Sequence, residues 1–151
     1  LAIAIALHVL AAVLWVGGMF FAWMILRPVA GELLDPPARL TLWFNVFRRF
    51  FPWVWASVIA LLGSGFWMLF SVFGGMAEAG WHIHVMLLTG LVMTGIYLHL
   101  WFTAYRKLGH AVAGQEWKEG GRHLGRIRRL IGINLILGLV TVIVASGGRF
   151  I

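Results

Sequence analysis

AGWHIHVMLLTGLVMTGIYLHLWFTAY (Ala79–Tyr105) runs for 27 residues without an Asp, Glu, Lys or Arg, yet it carries three histidines, His82, His84 and His99. An α-helix rises about 1.5 Å per residue, so about 20 apolar residues cross the hydrocarbon of a bilayer. This run is long enough to do so. Three others match it: Leu1–Leu26 (26 residues), Phe50–Ala77 (28) and Leu130–Gly148 (19). Across the chain 62% of residues are hydrophobic and 11% charged, against about 25% charged in a soluble domain. Lipid offers backbone groups no partner, so the spans must be helical, and no strand-like alternation competes. The expected fold is therefore all-α: a polytopic membrane protein forming a single four-helix domain over residues 1–151. Its helices fall at about 1–26, 52–73, 81–105 and 126–146.

The first run is too long for a signal-peptide core. It lacks a basic flank and ends at Arg27-Pro28, so it reads as a spanning helix. Pro36-Pro37 in GELLDPPARL (Gly31–Leu40) reads as a loop. Leu40, Phe44, Phe47 and Phe51 then recur at helical spacing, with Arg48 and Arg49 at the end. That pattern predicts an interfacial amphipathic helix between the first two spans. The polar, glycine-punctuated stretch from Lys107 to Arg129 reads as a loop containing a partial amphipathic helix.

Eleven of the 12 Lys and Arg residues lie in the first and third connections; only Arg149 stands apart. The positive-inside rule then places those connections in the cytoplasm of a bacterial inner membrane, with both termini periplasmic. It also explains the net charge of +7 as orientation plus contact with anionic lipid, not nucleic-acid binding. With no cysteine, thiolate metal sites and disulfides are excluded. No acid lies within the spans, which argues against a proton-coupled transporter. No serine shows a paired base.

Histidine within hydrocarbon calls for a partner. His8 is the one strongly polar side chain of the first helix, on a face shared with Ala4, Trp15, Gly18 and Ala22. Small residues on that face allow close packing and leave room for a flat cofactor. His82 and His84 are separated by about 200° of rotation and cannot face one partner. His84 and His99 share a face but stand about 22 Å apart. Helices 1 and 3 run in the same direction, so His8 and His84 fall at similar depth. Two imidazoles so placed can ligate one haem b from opposite faces. His82 and Arg149 would point toward the lipid headgroups or a haem propionate, and Trp15 and Gly18 would lie beside the ring. His99 is a candidate for a second haem, with His123 or His110 as its partner. The expected function is electron transfer or haem-linked oxidoreduction, with a quinone, a porphyrin or a periplasmic protein as redox partner; whether the chain is an enzyme, and whether it forms a homo-oligomer, is left open. The alternative metal is copper, for which Met19, Met24, Met68, Met76, Met86 and Met93 are soft ligands. Met76 clusters with His82 and His84, although most of these methionines read as core.

ALHVLAAVLWVGGMFF (Ala6–Phe21), RRFFPWVWA (Arg48–Ala56) and GRIRRLIGINLILGLVTVIVASGG (Gly125–Gly148) resemble the copper resistance protein D (CopD)-like membrane family. The resemblance covers almost the whole chain and implies copper uptake across the inner membrane. More distantly, His8 followed by Trp15-Val16-Gly17-Gly18 is similar to the HemJ-type protoporphyrinogen oxidases, which bind haem b. In that type a helix-1 histidine and a helix-3 lysine in a His-x-Lys pattern are the key residues. His8 matches the first, and His84 stands in the place of the lysine. The Asn-Glu-x-Pro pattern of the last HemJ helix is absent, since Leu135 follows Asn134. These departures keep haem ligation and leave the oxidase activity open.

Overall fold

The computed structural model describes residues 1–151 and contains four long apolar helices. They are α1 (Ala2–Leu33), α2 (Pro36–Ser71), α3 (Trp81–Ala113) and α4 (Trp117–Phe150), the last ending in a short 3-10 turn. The connections are short: Leu34–Asp35, Val72–Gly80 and Gly114–Glu116. One end of the bundle therefore carries both termini and the α2–α3 turn. The other, the basic end, carries the two remaining connections. The chain is a multi-pass membrane protein with an all-α fold.

Each helix extends further than the sequence reading predicts. Helix α1 does not stop at Pro28. A π-turn over Ala22–Leu26 shifts the hydrogen-bond register, so Pro28 falls in the first turn of a new α segment. A missing N–H costs little there. Pro36-Pro37 likewise opens α2 instead of preventing helix, and Asp35 holds the extended backbone that precedes it.

The separate interfacial helix is not formed; its residues are the first turns of α2. Leu40, Trp43, Phe47, Phe51, Val54 and Val58 are all buried on one face. That stripe passes through Pro52 without a change of phase, so packing holds both sides in one helix. Pro52 itself faces outward. The predicted loop from Lys107 to Arg129 is mostly helical too. α3 passes through a π-turn at Trp101–Tyr105 and continues to Ala113, and α4 starts at Trp117, not Arg126.

Helix α1 lies along α2, and α3 along α4; α4 also touches α1 and α2, joining the two pairs. Gly138 permits this closeness, because a Cβ there would stand 2.9 Å from Val16 on α1 and 3.2 Å from Met93 on α3. Helices α1 and α3 occupy opposite corners and meet through large side chains, with Trp15 edge-on to Tyr97 at 6.3 Å. Helix α2 reaches α3 through aromatic rings as well. Phe51 packs on Tyr97, Trp101 and Tyr105, and the Tyr97 hydroxyl donates to the Phe51 carbonyl at 3.2 Å.

The core is concentrated toward the basic end. None of the first ten residues is buried, and α3 has no buried residue before Met93. Deeper in, an apolar cluster built from Trp15, Trp43, Phe47, Phe51, Tyr97 and Ile127 closes the centre. The exposed Leu, Ile, Val and Phe residues of the terminal half present the surface that lipid covers.

Candidate metal-binding histidine

His8 sits on α1 two turns from the helix start and is half-buried. Its Nδ1 lies 2.9 Å from Ser64 Oγ on α2. Ser64 has one hydroxyl hydrogen, which it donates back to the Ala60 carbonyl one turn earlier. With that hydrogen so placed, and not turned toward the ring, Ser64 Oγ accepts from His8 and Nδ1 carries the proton. The other ring nitrogen, Nε2, is left with a free lone pair. A hydrogen bond at one nitrogen that orients the ring and fixes its tautomer is the usual support of a metal-ligating histidine.

Space for the ring comes from Gly65. A Cβ at that position would stand 3.2 Å from His8 Cε1 and 3.7 Å from Nδ1. Sequence reading singled out His8 but missed its support: the Gly63-Ser64-Gly65 triplet is the visible signal, a hydroxyl between two residues without side chains.

The remaining candidates are placed as follows. His84 is exposed on α3, with no side-chain hydrogen bond. His82 is half-buried against Gly148 and edge-on to Trp81. Arg149 is exposed, its guanidinium 4.6 Å from the Phe150 ring centre. Trp15 is buried in the core, and the space left by Gly18 is taken by the Phe50 ring. Those two positions serve helix packing. His99 and His110 are exposed, whereas His123 lies 3.8 Å from Glu119. Among the methionines, Met19 and Met93 are buried in the core, Met68 and Met86 are half-buried, and Met24 and Met76 are exposed. No group of three or more His, Asp or Glu side chains gathers around one point. Any metal bound here would need the free nitrogen of His8 together with softer or non-acidic donors.

A second polar group in the span was not anticipated. Asn134 is 3% exposed at mid-membrane, and its Nδ2 donates to the Met93 carbonyl at 3.1 Å. Its Oδ1 has no partner. Thr141 and Thr89 share a further hydrogen bond of 2.7 Å between α4 and α3.

No curated protein and no solved structure matches the chain. The family model for copper resistance protein D matches residues 44–147. That region takes in α2 from Phe44 onward, with Ser64 and Gly65, and the membrane-crossing parts of α3 and α4, while α1 and His8 lie before it. With more than half of its length matched, the chain belongs to the copper resistance protein D family.

Proposed function

We propose that this protein handles copper at the membrane, taking up Cu(I) as its cargo in the terminal half of the bundle with His8 as a ligand. The observation that carries the proposal is the His8–Ser64 hydrogen bond, which holds the imidazole with a bare Nε2 inside an acid-free apolar span. Imidazole and thioether both suit Cu(I), and family membership favours copper over other metals. Met68 follows Ser64 by one turn on the same face of α2 and is half-buried, which makes it the candidate soft co-ligand. On the positive-inside rule the basic end is cytoplasmic, so the His8 end opens toward the periplasm. Copper would then arrive from that side, delivered free or by a periplasmic protein.

The test is copper stoichiometry of the detergent-purified protein after loading with Cu(I) under reducing conditions. About one copper per chain is expected for wild type, with clear loss in His8→Ala and weaker binding in Met68→Leu. Equal copper content in wild type and His8→Ala would refute the assignment.

Haem b held by His8 and His84 is the second reading. It is favoured by the placement of α1 and α3 at opposite corners. Where neighbouring helices pack at 8–10 Å, such corners stand about 11–14 Å apart or more, a span that two imidazoles and an iron can bridge. Trp15 and Gly18 would take no part, being used in packing. A Soret band in protein from haem-replete cells, lost in both His8→Ala and His84→Ala, would select this reading over copper.

A further inference from the structure

At the basic end a second group of polar atoms lacks partners, and every one of them is a donor. A small cleft of about 10 Å³ between α1, α2 and α4 is lined by Ala22, Trp23, Arg27, Trp43, Arg128 and Ile131. Trp43 is 1% exposed, and its indole N–H has no hydrogen-bond partner. Arg27 donates from Nε to the Trp23 carbonyl at 3.2 Å and lies 4.2 Å from the Trp23 ring centre, which leaves its terminal nitrogens free. Arg128 makes no side-chain hydrogen bond and no ion pair. Arg39 is used in part: Nη2 donates to the Leu34 carbonyl at 2.9 Å, but its Nε is buried without a partner. Its positive charge and that of Arg27 both bear on Arg128. No carboxylate lies within ion-pair distance of any of the three.

Buried donors are nearly always satisfied, and three guanidinium groups gathered without an acid repel one another. One ligand class answers both problems, an anion with several acceptor oxygens. Arginine forks match phosphate oxygens in geometry as well as charge. The cavity has room for about one water-sized atom. The free space is bounded by apolar atoms, so an anionic oxygen would have to part the cleft walls slightly to accept from the Trp43 N–H, while the rest of the anion stayed at the mouth between Arg27 and Arg128. This end of the bundle is also where the headgroup layer of a bilayer lies.

We infer that the Trp43–Arg27–Arg128 cleft binds one phosphate-class oxyanion, supplied by the headgroup of an anionic phospholipid or by free phosphate. The site is independent of the copper proposal and lies at the opposite end of the bundle. Bound there, the anion would tie α1, α2 and α4 together at their basic ends.

The experiment is native mass spectrometry of the full chain in a neutral detergent, titrated with phosphatidylglycerol, phosphatidylcholine or inorganic phosphate. Wild type should hold one phosphatidylglycerol in preference to phosphatidylcholine. Trp43→Phe removes the N–H while keeping an aromatic ring, and Arg128→Gln removes one fork; each should weaken binding about tenfold. Arg126→Gln removes the same charge from an exposed position and should leave binding unchanged. Displacement of the lipid by inorganic phosphate would show that the site reads the phosphate group itself. Site-dependent lipid binding without displacement would identify the headgroup as the source, and phosphate binding without lipid binding would identify the free ion. The inference is overturned if phosphatidylcholine binds equally well and phosphate does not bind. It is likewise overturned if Arg126→Gln weakens binding as much as Arg128→Gln, or if Trp43→Phe and Arg128→Gln both bind as wild type does.

Discussion

Ser64→Ala is the sharpest test of the copper proposal, because it leaves His8 in place and removes only what prepares it. In the wild type, with the Ser64 hydroxyl hydrogen given to the Ala60 carbonyl, Ser64 Oγ accepts from His8 Nδ1 at 2.9 Å and the ring is held as the tautomer with a bare Nε2. A neutral hydrogen bond contributes about 1 kcal/mol net, and a buried donor left unpaired costs about 1–3 kcal/mol. A bias of about 1–1.5 kcal/mol favours the ligating tautomer by about five- to tenfold, since 1.4 kcal/mol is a factor of ten. Loss of the bond also frees the ring to rotate in the space beside Gly65. Removing such a supporting bond typically weakens metal affinity by about 10–100-fold, and the tautomer bias alone accounts for the lower part of that range. We expect Ser64→Ala to raise the Kd for Cu(I) by about 10–30-fold in competition with a chromophoric chelator. Ser64→Thr keeps a hydroxyl and should lie much closer to wild type; Ser71→Ala, at an exposed position beyond the site, should not differ from it. Helicity by circular dichroism checks that each variant is folded. A Ser64→Ala affinity within about twofold of wild type would show that the hydrogen bond does not prepare a metal ligand, and the proposal would lose its main support.

Gly18→Ala should lower stability by about 1–3 kcal/mol in detergent melts, because the new Cβ would collide with the Phe50 ring; Gly17→Ala, with nothing within 4 Å, should melt like wild type. Equal melting of the two variants would contradict the packing described here. Asn134→Leu gives up one hydrogen bond to Met93 but also removes an unpartnered buried oxygen, so its net effect should stay within about 1 kcal/mol. A loss above about 3 kcal/mol would mean that Oδ1 has a partner in the membrane. Replacing Thr89 and Thr141 by Val, singly and together, should give a coupling of about 0.6 kcal/mol across the α3–α4 interface, and a coupling of zero would remove that bond from the account.

Much of the architecture was legible because hydrophobic length is a strong signal: four charge-free runs become four long helices. The helix ends were not legible, and proline is the reason. Pro28, Pro36 and Pro37 each suggest a break and Pro52 a helix start, yet the first three occupy first-turn positions where they cost little, one of them only because a π-turn resets the register. At Pro52 a continuous buried face overrides the local signal. The buried Trp43 was passed over in favour of Phe44 because both fit a helical stripe, and only packing against the other helices decides between them; Phe44 instead stacks on Tyr105. His8 could be singled out because it stands alone in its span. Ser64 could not be paired with it, since nothing in a single sequence tells which face of α2 meets α1. The unpartnered donors at the basic end were hidden for the same reason: a chain rich in arginine shows charge, not which guanidinium groups lack acids.

The uneven packing of the bundle also bears on how copper would move. Between His8 and the basic end, the centre is closed by buried Trp15 and by the rings of Phe51, Tyr97, Trp101 and Tyr105, with neighbouring centroids 5.0 Å apart at the closest. Aromatic pairs of this kind add about 0.5–1.5 kcal/mol each beyond their burial, so opening the column would cost several such contacts together. The terminal half has no comparable plug: none of its first ten residues is fully buried, and neither is any residue of α3 before Met93. A copper ion on His8 should therefore exchange with one side of the membrane only. In proteoliposomes of known orientation, an impermeant Cu(I) chelator on the side of the termini should strip the metal rapidly, and the same chelator on the basic side should leave it bound. Trp15→Ala, which removes the largest side chain next to the histidine face, should narrow that difference. Equal stripping from both sides of the wild type would show that the aromatic column is no barrier and that copper passes through the single bundle; strict one-sidedness would make the protein a site that binds and hands on copper, not a pore.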